Sequence, residues 1–501
     1  MGRGRNSATD GTVRAPFLAL GLAFALVSVS VLAASPAQAL PTLANLGGDP
    51  YANGTSQHAT QVEPDSFAWG TTIVTAAQTG RFFNGGSSNI CWARSGDSGA
   101  TWTSGCLPSV TVFSTPAGTY DRVSDPAVAY DPKHGVWLIS SLGLSGSSSV
   151  KGAAILTSRS TDGGLTWSSP VVTAAATGSN DYDKNWIVCD TWAASPYYGN
   201  CYTQWDNYGA GNRLLMSTST DGGLSWGTPT QTANGAAGLG GQPVVQPSGT
   251  VIVPSANAYE TAIIAFRSTN GGATWSSPVT IASVRSHAVA GNLRTGPLPS
   301  AEVDAAGKVY VVWQDCRFRK RCASNDIVMS TSADGITWTS PVRINMDAVT
   351  STVDRFIPGI AVDRTTSGSS ARLALTYYFY PSAKCSSSTC QLSVGFVSSQ
   401  DGGATWSAVT TLAGPMTLSW IADTSQGRMV GDYISTSFVG SVAFPVFVVA
   451  TAPSGGVFAE RMTTVASGLS VNVAAATATG LDVAVVRTGD RPAPAAAVSR
   501  Q

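Results

Sequence analysis

One short pattern occurs six times along the chain and constrains its fold more than any other feature. The copies follow the form Ser-x-Asp-Gly-Gly-x-Thr-Trp, with Ser98 replacing a Gly in the first copy, Ser225 replacing the Thr in the third, Asn270 replacing the acid in the fourth and one residue missing from the fifth. The copies begin at Ser95, Ser160, Ser219, Ser268, Ser332 and Ser399. A repeat at intervals of roughly 50 to 65 residues indicates an array or a propeller.

Each copy has the composition of a tight turn between two strands. The copies lie between apolar, β-branched runs such as 153–157 and 261–266, which is the pattern of a hairpin. The Asp can accept hydrogen bonds from backbone N–H groups just downstream, and Gly supplies the positive φ that the turn needs. The Trp then begins the next strand, where its large face can seal neighbouring sheets.

The repeated pattern resembles the Asp box, or BNR repeat, of the sialidase (neuraminidase) superfamily, over about residues 60–465. The resemblance implies an all-β fold, a β-propeller of four-stranded blades, with the Asp-box turns on the face away from the active site. It is specific for the fold and only weakly specific for activity, because unrelated propeller proteins also carry these turns.

A second recurring segment marks the first, innermost strand of each blade. The stretches 126–131, 299–304 and 358–363 align without gaps, each beginning with Pro and ending with Asp. With looser matches, the chain offers seven such strands, so we favour seven blades; six, the number in true sialidases, is the alternative. The last blade lacks a box, and the stretch His58–Val62 is predicted to supply its missing outer strand.

The ends of the chain differ in composition from its middle. Residues 1–39 read as a secretion signal, with a basic start, an apolar run over 17–34 and the small residues Ala37-Gln38-Ala39 before the cut. Residues 40–59 form an N-terminal extension, and the Ala- and Pro-rich residues 466–501 are predicted to be disordered. We therefore expect a secreted, extracellular monomer with no membrane span after signal removal.

The eight cysteines fall into four pairs, each symmetric about a predicted turn. Such pairs face each other across a hairpin, so we predict the disulfides Cys91–Cys106, Cys189–Cys201, Cys316–Cys322 and Cys385–Cys390. A metal cluster or reduced thiols fit less well, since no C-x-x-C occurs and no histidine lies near a pair. We predict no metal and no cofactor.

The chain has only 29 basic and 29 acidic residues, which gives no sign of nucleic-acid binding. Many of these charges gather just ahead of the inner strands, where a propeller has its functional face. The residues at these positions are Asp121, Arg122, Asp125, Asp181, Asp183, Lys184, Gln242, Arg294, Asp354, Arg355, Arg428, Asp432 and Tyr433.

The resemblance implies roles for some of these residues. Family sialidases bind the substrate carboxylate with three arginines, for which Arg294, Arg355 and Arg428 are the candidates. They use a Tyr nucleophile assisted by a Glu and an Asp general acid; the candidates here are Tyr433, Glu302, Asp125 and Asp121. Further candidates for substrate binding are Arg122, Asp183, Trp186 and Trp420. The chain lacks the Arg-Ile-Pro opening of the family's first blade, and Arg355-Phe-Ile-Pro358 is permuted.

Three functions follow from these observations. The first is a retaining exo-sialidase-like hydrolase that removes terminal acidic sugars from glycans. The second is another polysaccharide hydrolase or lyase, in which Asp125 and Asp183 carry the chemistry. The third is a non-catalytic propeller that binds glycans or proteins. Each arginine could equally form an ion pair between blades, and Tyr433 could be a packed core residue.

Overall fold

The structure is a computed structural model that describes residues 39–471. The predicted signal segment and most of the predicted tail fall outside these residues. Within them the chain is all-β, as expected, and its helices are five three-residue 3-10 turns at Tyr208–Ala210, Ala290–Asn292, Lys320–Cys322, Gly368–Ser370 and Leu418–Trp420. None of the helices in this range has the length and hydropathy that a membrane span requires.

After strand β1 (Leu43–Asn45), the first half of the chain forms four consecutive antiparallel sets of strands. The first set is β2 (Gln57–Trp69), β3 (Thr72–Arg81), β4 (Ser87–Ser95) and β5 (Thr103–Cys106). The second is β6 (Arg122–Asp131), β7 (Val136–Ser145), β8 (Lys151–Ser160) and β9 (Val171–Ala175). The third is β10 (Tyr182–Cys189), β11 (Cys201–Asn207), β12 (Arg213–Ser219) and β13 (Thr230–Gln231). In the fourth, β14 (Gly238–Leu239) and β15 (Val244–Val245) both pair with β16 (Val251–Asn257), which is followed by β17 (Ala262–Ser268) and β18 (Val279–Ser283).

Three further sets follow in the same antiparallel order. The fifth is β19 (Ser300–Val303), β20 (Val309–Asp315), β21 (Asp326–Ser332) and β22 (Val342–Arg343). The sixth is β23 (Asp354–Val362), β24 (Leu373–Tyr380), β25 (Gln391–Ser399) and β26 (Thr410–Thr417). A small hairpin of β27 (Asp423–Thr424) and β28 (Gly427–Arg428) precedes the seventh, which contains β29 (Ser435–Val439), β30 (Val442–Ala450), β31 (Glu460–Val465) and β32 (Leu469–Ser470).

The seventh set is completed by strand β1 from the start of the described chain. Leu43 lies opposite Val465 and Asn45 lies opposite Thr463, so β1 becomes the outer neighbour of β31. The prediction that His58–Val62 supplies this strand is wrong, because those residues belong to β2, which pairs with β3 in the first set.

The first strands of the seven sets contact one another in chain order, and the first strand of the seventh, β29, contacts β2. A narrow cavity of about 50 Å³ is lined by residues from or beside all seven of these strands, among them Phe67, Val128, Ile187 and Ile360. Arg364 also lines it, donates to Thr191 Oγ1 at 3.0 Å and lies 3.6 Å from Glu302 Oε2. The Arg364 side chain therefore links the third, fifth and sixth sets at the wall of this cavity.

The Asp boxes form the predicted turns, each joining the third strand of a set to the fourth. In the first box, Gly99 N donates to Ser95 Oγ at 2.8 Å, and Thr101 N donates to Asp97 Oδ1 at 2.9 Å. The box tryptophans pack between sets, as where Trp167 lies 6.3 Å from Trp92. These turns lie beside the ends of the first strands, so the residues that precede the first strands are at the opposite face.

All four predicted disulfides are present. Cys91 lies directly opposite Cys106 in the β4–β5 pair, and Cys189 lies directly opposite Cys201 in the β10–β11 pair. The other two bonds close the short loops 316–322 and 385–390. Each bond is local to one set, as the symmetry of the cysteines about the turns predicted.

Candidate active site

Four of the first strands carry a bulge at the same position, near the end where the predicted site residues lie. The strand register shifts at Glu63, Asp125, Lys184 and Ile357. These residues have φ values of 54°, 50°, 51° and 50°, which side-chain-bearing residues seldom adopt. Because a bulge changes the direction of a side chain, it brings charged groups of separate strands to one place.

Charged groups from four parts of the chain meet at these bulges. Asp432 accepts a hydrogen bond from Arg294 Nε at 2.8 Å and forms an ion pair with Lys184. The Lys184 Nζ also lies 3.8 Å from Glu63 Oε1, and Gln78 donates to the other oxygen of Glu63. The first, third and seventh sets are thus tied together by one ionic network.

The network controls the protonation of its carboxyl groups. Burial by itself raises the pKa of Asp432, but the charges of Arg294 and Lys184 outweigh burial and hold that pKa well below its usual range. Burial raises the pKa of Glu63 to about 8, despite the opposing charge of Lys184. Asp432 is therefore ionised near neutral pH, whereas Glu63 is largely protonated.

A cavity of about 260 Å³ opens above this network. Its wall is built from the residues just ahead of first strands and from hairpins that join second strands to third strands. The polar and charged residues that line it are Asp183, Lys184, Tyr208, Asn212, Glu260, Arg294, Thr295, Gln426 and Asp432. The cavity therefore holds three carboxyl groups and two cationic groups, a combination that can bind a polar ligand and transfer protons.

Glu260 lies in the hairpin between β16 and β17. The hairpin is fixed by Asn257, whose carbonyl oxygen accepts from Glu260 N at 2.9 Å and whose Oδ1 accepts from Thr261 N at 2.8 Å. Burial raises the pKa of Glu260 to about 7, and the negative charge of Asp432 adds to the increase. Among the described residues, no hydrogen bond or ion pair engages the Glu260 carboxyl group. It is therefore held on a fixed turn and is able to donate a proton to a ligand.

Asp183 is the second titrating carboxyl group of the cavity. Burial raises its pKa to about 6, and the charge of Lys184 limits the increase. On the neighbouring strand, Asp206 lies directly opposite Asp183. The pKa of Asp206 is raised well above its usual range by burial and then by the charge of Asp183. Asp183 and Glu260 thus titrate at different pH values within one cavity, as an acid and base pair requires.

The structure brings some of the predicted site residues together. Asp183 and Arg294 line the cavity, and Asp125 Oδ2 lies just beside it, accepting from Lys184 N at 3.0 Å. Tyr433 and Trp186 pack edge to face, with ring centres 4.8 Å apart, below the cavity. The Tyr433 hydroxyl donates to the Pro126 carbonyl oxygen at 3.1 Å, and burial raises its pKa well above the usual value.

Other predicted residues lie in separate surroundings. Arg355 Nη2 donates to Asp347 Oδ2 at 3.0 Å, in a cluster between the fifth and sixth sets. Arg428 donates to the Ile421 carbonyl oxygen, so only Arg294 of the three arginines lines the cavity. Arg122 donates to Asn84 Oδ1 at 2.6 Å, and exposed Asp121 accepts from Gly146 N at 2.7 Å. Glu302 lies near Arg364, beside the narrow cavity between the first strands. Trp420 packs against the hydrophobic core of the last sets.

The sequence reasoning did not find Glu260, Tyr208, Asn212 or Gln426. Most of the predicted site residues were chosen for their position ahead of first strands. In an antiparallel set, the turn between the second and third strands lies at that same end, and this rule leads directly to 207–213 and 257–261. Counting the tips of those hairpins among the candidates would have identified Tyr208, Asn212 and Glu260.

A comparison with protein families matches residues 197–359 to the BNR repeat-like domain. The match runs from just before β11 of the third set, through the fourth and fifth sets, into β23 of the sixth, and it includes three of the six Asp boxes. It confirms the resemblance to the BNR-repeat superfamily that the boxes indicated.

Similar proteins include enzymes that act on different glycans. A xyloglucanase from Paenibacillus sp is 33% identical over 209 residues, which are 39% of this chain and 19% of the xyloglucanase. Among solved structures, the sialidase NanB from Streptococcus pneumoniae is 13% identical with a TM-score of 0.40, covering 84% of this chain and 69% of that one. An α-L-arabinofuranosidase from Fusarium graminearum is 14% identical with a TM-score of 0.43, covering 71% of this chain and 97% of that one. With TM-scores this low, the description of the fold rests on the strand pairings above.

Proposed function

We propose that this BNR-repeat protein is a seven-bladed β-propeller that hydrolyses glycosidic bonds in a glycan. Support for seven blades comes from the contacts of the seven first strands in chain order, including β29 with β2. It also comes from strand β1, which joins the last set and would fasten the two ends of a ring. The hydrolase function is supported mainly by the cavity, where Asp183 and Glu260 have raised pKa values and can be reached by a ligand.

The two carboxyl groups have separate tasks in this reaction. Glu260 donates its proton to the glycosidic oxygen as the bond from that oxygen to the anomeric carbon breaks. Asp183 accepts a proton from the water molecule that adds to the anomeric carbon. Asp432 stays ionised and holds the cations of Arg294 and Lys184 at the base of the cavity. The reaction uses no cofactor.

The charges of the cavity favour a neutral sugar. Three carboxyl groups and two cations line it, and both cations are already paired with Asp432. With Glu260 protonated, the ionised Asp183 and Asp432 balance the two cations, so the described wall offers no net positive charge to an acidic sugar. The glycan substrate is therefore a neutral chain.

An exo-sialidase that acts on terminal acidic sugars is the second candidate. It is favoured by Arg294, a guanidinium group in the cavity that could bind a carboxylate if Asp432 released it. In that case Tyr433 would be the nucleophile, and the loss of its hydroxyl would abolish the reaction.

A panel of three substrates distinguishes the two candidates. Release of reducing ends from xyloglucan and arabinan is measured beside release of a fluorescent group from an N-acetylneuraminic acid conjugate. Xyloglucan is included because of the similarity to a xyloglucanase. We expect hydrolysis of a neutral polysaccharide that is lost in Glu260→Gln and retained in Tyr433→Phe. Hydrolysis of the conjugate alone, lost in Tyr433→Phe, would establish the sialidase instead.

The proposal includes secretion of the protein as a monomer after removal of residues 1–39. Four disulfides support an oxidising compartment, because such bonds persist outside the cytosol. N-terminal sequencing of the protein from culture medium tests the cut, for which Leu40 is the expected first residue. Gel filtration of the same sample tests the monomer.

A further inference from the structure

Exposed aromatic rings gather at the end of the fold that contains the cavity. Four aromatic side chains in residues 39–471 are exposed: Trp69 (39%), Phe83 (53%), Tyr208 (40%) and Tyr259 (73%). The last three lie in hairpins between a second and a third strand, at the face where the cavity opens. Trp69 is the last residue of β2 and lies at the opposite face. The hydroxyl group of a Tyr makes exposure of its side chain to water tolerable, and the ring can cover an apolar surface of a ligand.

Tyr208 lies where the cavity continues beyond its main chamber. A second, smaller cavity of about 20 Å³ shares Tyr208 and Asp183 with the first. Its other walls include the apolar side chains of Leu142, Leu144 and Val150, from the second set of strands. The two cavities therefore adjoin at Tyr208 and Asp183.

Tyr259 lies in the corresponding hairpin of the next set, beside Glu260, which lines the main chamber. It directly precedes Glu260 in the hairpin that Asn257 fixes through its hydrogen bonds with Glu260 N and Thr261 N. The turn holds Glu260 at a φ of 53°, so the backbone here has a defined and strained conformation. A large ring is thus presented to solvent from a rigid tip beside a proposed catalytic residue.

We propose that Tyr208 and Tyr259 are stacking platforms for sugar rings on either side of the cavity. A neutral polysaccharide chain then crosses the cavity and is cleaved at an internal bond; this inference rests on the glycoside hydrolase function proposed above. The faces of a sugar ring expose C–H groups that pack against aromatic rings, and its hydroxyl groups are left to the polar residues of the cavity wall. Platforms on both sides of Asp183 and Glu260 place the scissile bond between bound sugars.

The test is electrophoresis in native gels that contain xyloglucan or arabinan, with Glu260→Gln as a background that does not hydrolyse the gel polymer. We expect one of these polymers to slow the protein. The retardation should fall at least about tenfold, expressed as a dissociation constant, in Tyr259→Ala and in Tyr208→Ala, because each change removes the ring that covers a sugar face. Tyr259→Phe retains the ring and should bind normally. Trp69→Ala, which removes an exposed ring from the opposite face, is the matched control.

The outcomes separate this inference from the proposed function. Retardation that is unchanged in both alanine variants, or no retardation by either polymer, overturns the inference. If wild-type protein hydrolyses a polymer and Tyr259→Ala does so with the same KM, the inference fails and the hydrolase function stands. If the polymers bind through both tyrosines but are never cleaved, the platforms stand and the hydrolase function fails. Product size tests the internal cut, because early products should be long oligosaccharides rather than single sugars.

Discussion

Arg294 and Asp432 form a two-point ion pair beneath the cavity: Nε donates to Oδ1 at 2.8 Å, and Nη2 donates to Oδ2. Lys184 binds the same carboxylate from the third set of strands. One anion therefore joins two buried cations that come from distant parts of the sequence. The cavity and the packing of the sheets therefore both depend on Asp432.

Replacing Asp432 with Asn should destabilise the fold, because Arg294 and Lys184 would remain buried without their shared anion. Breaking a buried ion pair by removing one partner costs about 3–5 kcal/mol. We expect a loss of this size in the free energy of unfolding, measured by urea denaturation. Asp121→Asn is the control, since Asp121 is exposed and its amide could still accept from Gly146 N. Equal stability of the two variants would contradict the role of the network.

Stability should fall as the pH rises from about 5 to about 8, because Glu460 is buried in the protonated form. Its pKa is raised to about 8 by burial. A raised pKa stabilises the fold below the unfolded value, and this stabilisation is lost as pH rises through the folded value. Glu460→Gln keeps an acceptor for Ala422 N and cannot ionise. It should flatten the dependence and be at least about 1 kcal/mol more stable than wild type at about pH 8. Parallel curves for both proteins would show that Glu460 does not titrate in this range.

The pH profile of hydrolysis should be bell-shaped. Asp183 must be ionised to accept a proton, so kcat/KM should fall as the pH decreases through about 6. Glu260 must be protonated, so kcat/KM should fall as the pH increases through about 7. The maximum is expected between these values. A profile without an alkaline limb would contradict the role of Glu260 as the acid.

The Asp boxes should tolerate Asn far better than Ala. The fourth box of the chain already has Asn in place of Asp: Asn270 Oδ1 accepts from Thr274 N at 3.0 Å, and Asn270 Nδ2 donates to Thr274 Oγ1 at 2.8 Å. These contacts match those of Asp162 with Thr166. We expect Asp162→Ala to lower the free energy of unfolding by about 1–2 kcal/mol and Asp162→Asn by less than half as much. Similar losses in both would mean that the charge, and not the hydrogen bonds, stabilises the turn.

The local features of this fold could be predicted from the sequence because their signals are local. The box at Asp97, for example, has the turn, the glycine and the tryptophan within a few residues, and Cys91 and Cys106 are symmetric about it. The same holds for the segments 126–131, 299–304 and 358–363, which overlap first strands and end at Asp131, Asp304 and Asp363. These three carboxylates cap the following turns, as Asp131 does by accepting from Lys133 N at 2.9 Å.

The site was harder to predict because its residues meet only through pairings between distant strands. Asp183 and Arg294 were identified from their position ahead of first strands, whereas Glu260 required knowing which end of each hairpin faces the cavity. Arg355 satisfied the same positional rule as Arg294, yet Asp347 draws its guanidinium into a separate cluster. The position of a residue in the sequence indicates at which face of the fold its side chain lies. Its ionic partner determines whether its charge lies in the cavity or in a separate cluster.

The most direct test of the account is the rate of reducing-end release from the glycan panel by wild-type protein and Glu260→Gln. The account predicts turnover of a neutral polysaccharide by the wild type, reduced by about 10²–10⁴-fold in the variant, with the unfolding curve unchanged. A Glu260→Gln variant that is as active as wild type would contradict the account, as would a wild type that cleaves only the N-acetylneuraminic acid conjugate.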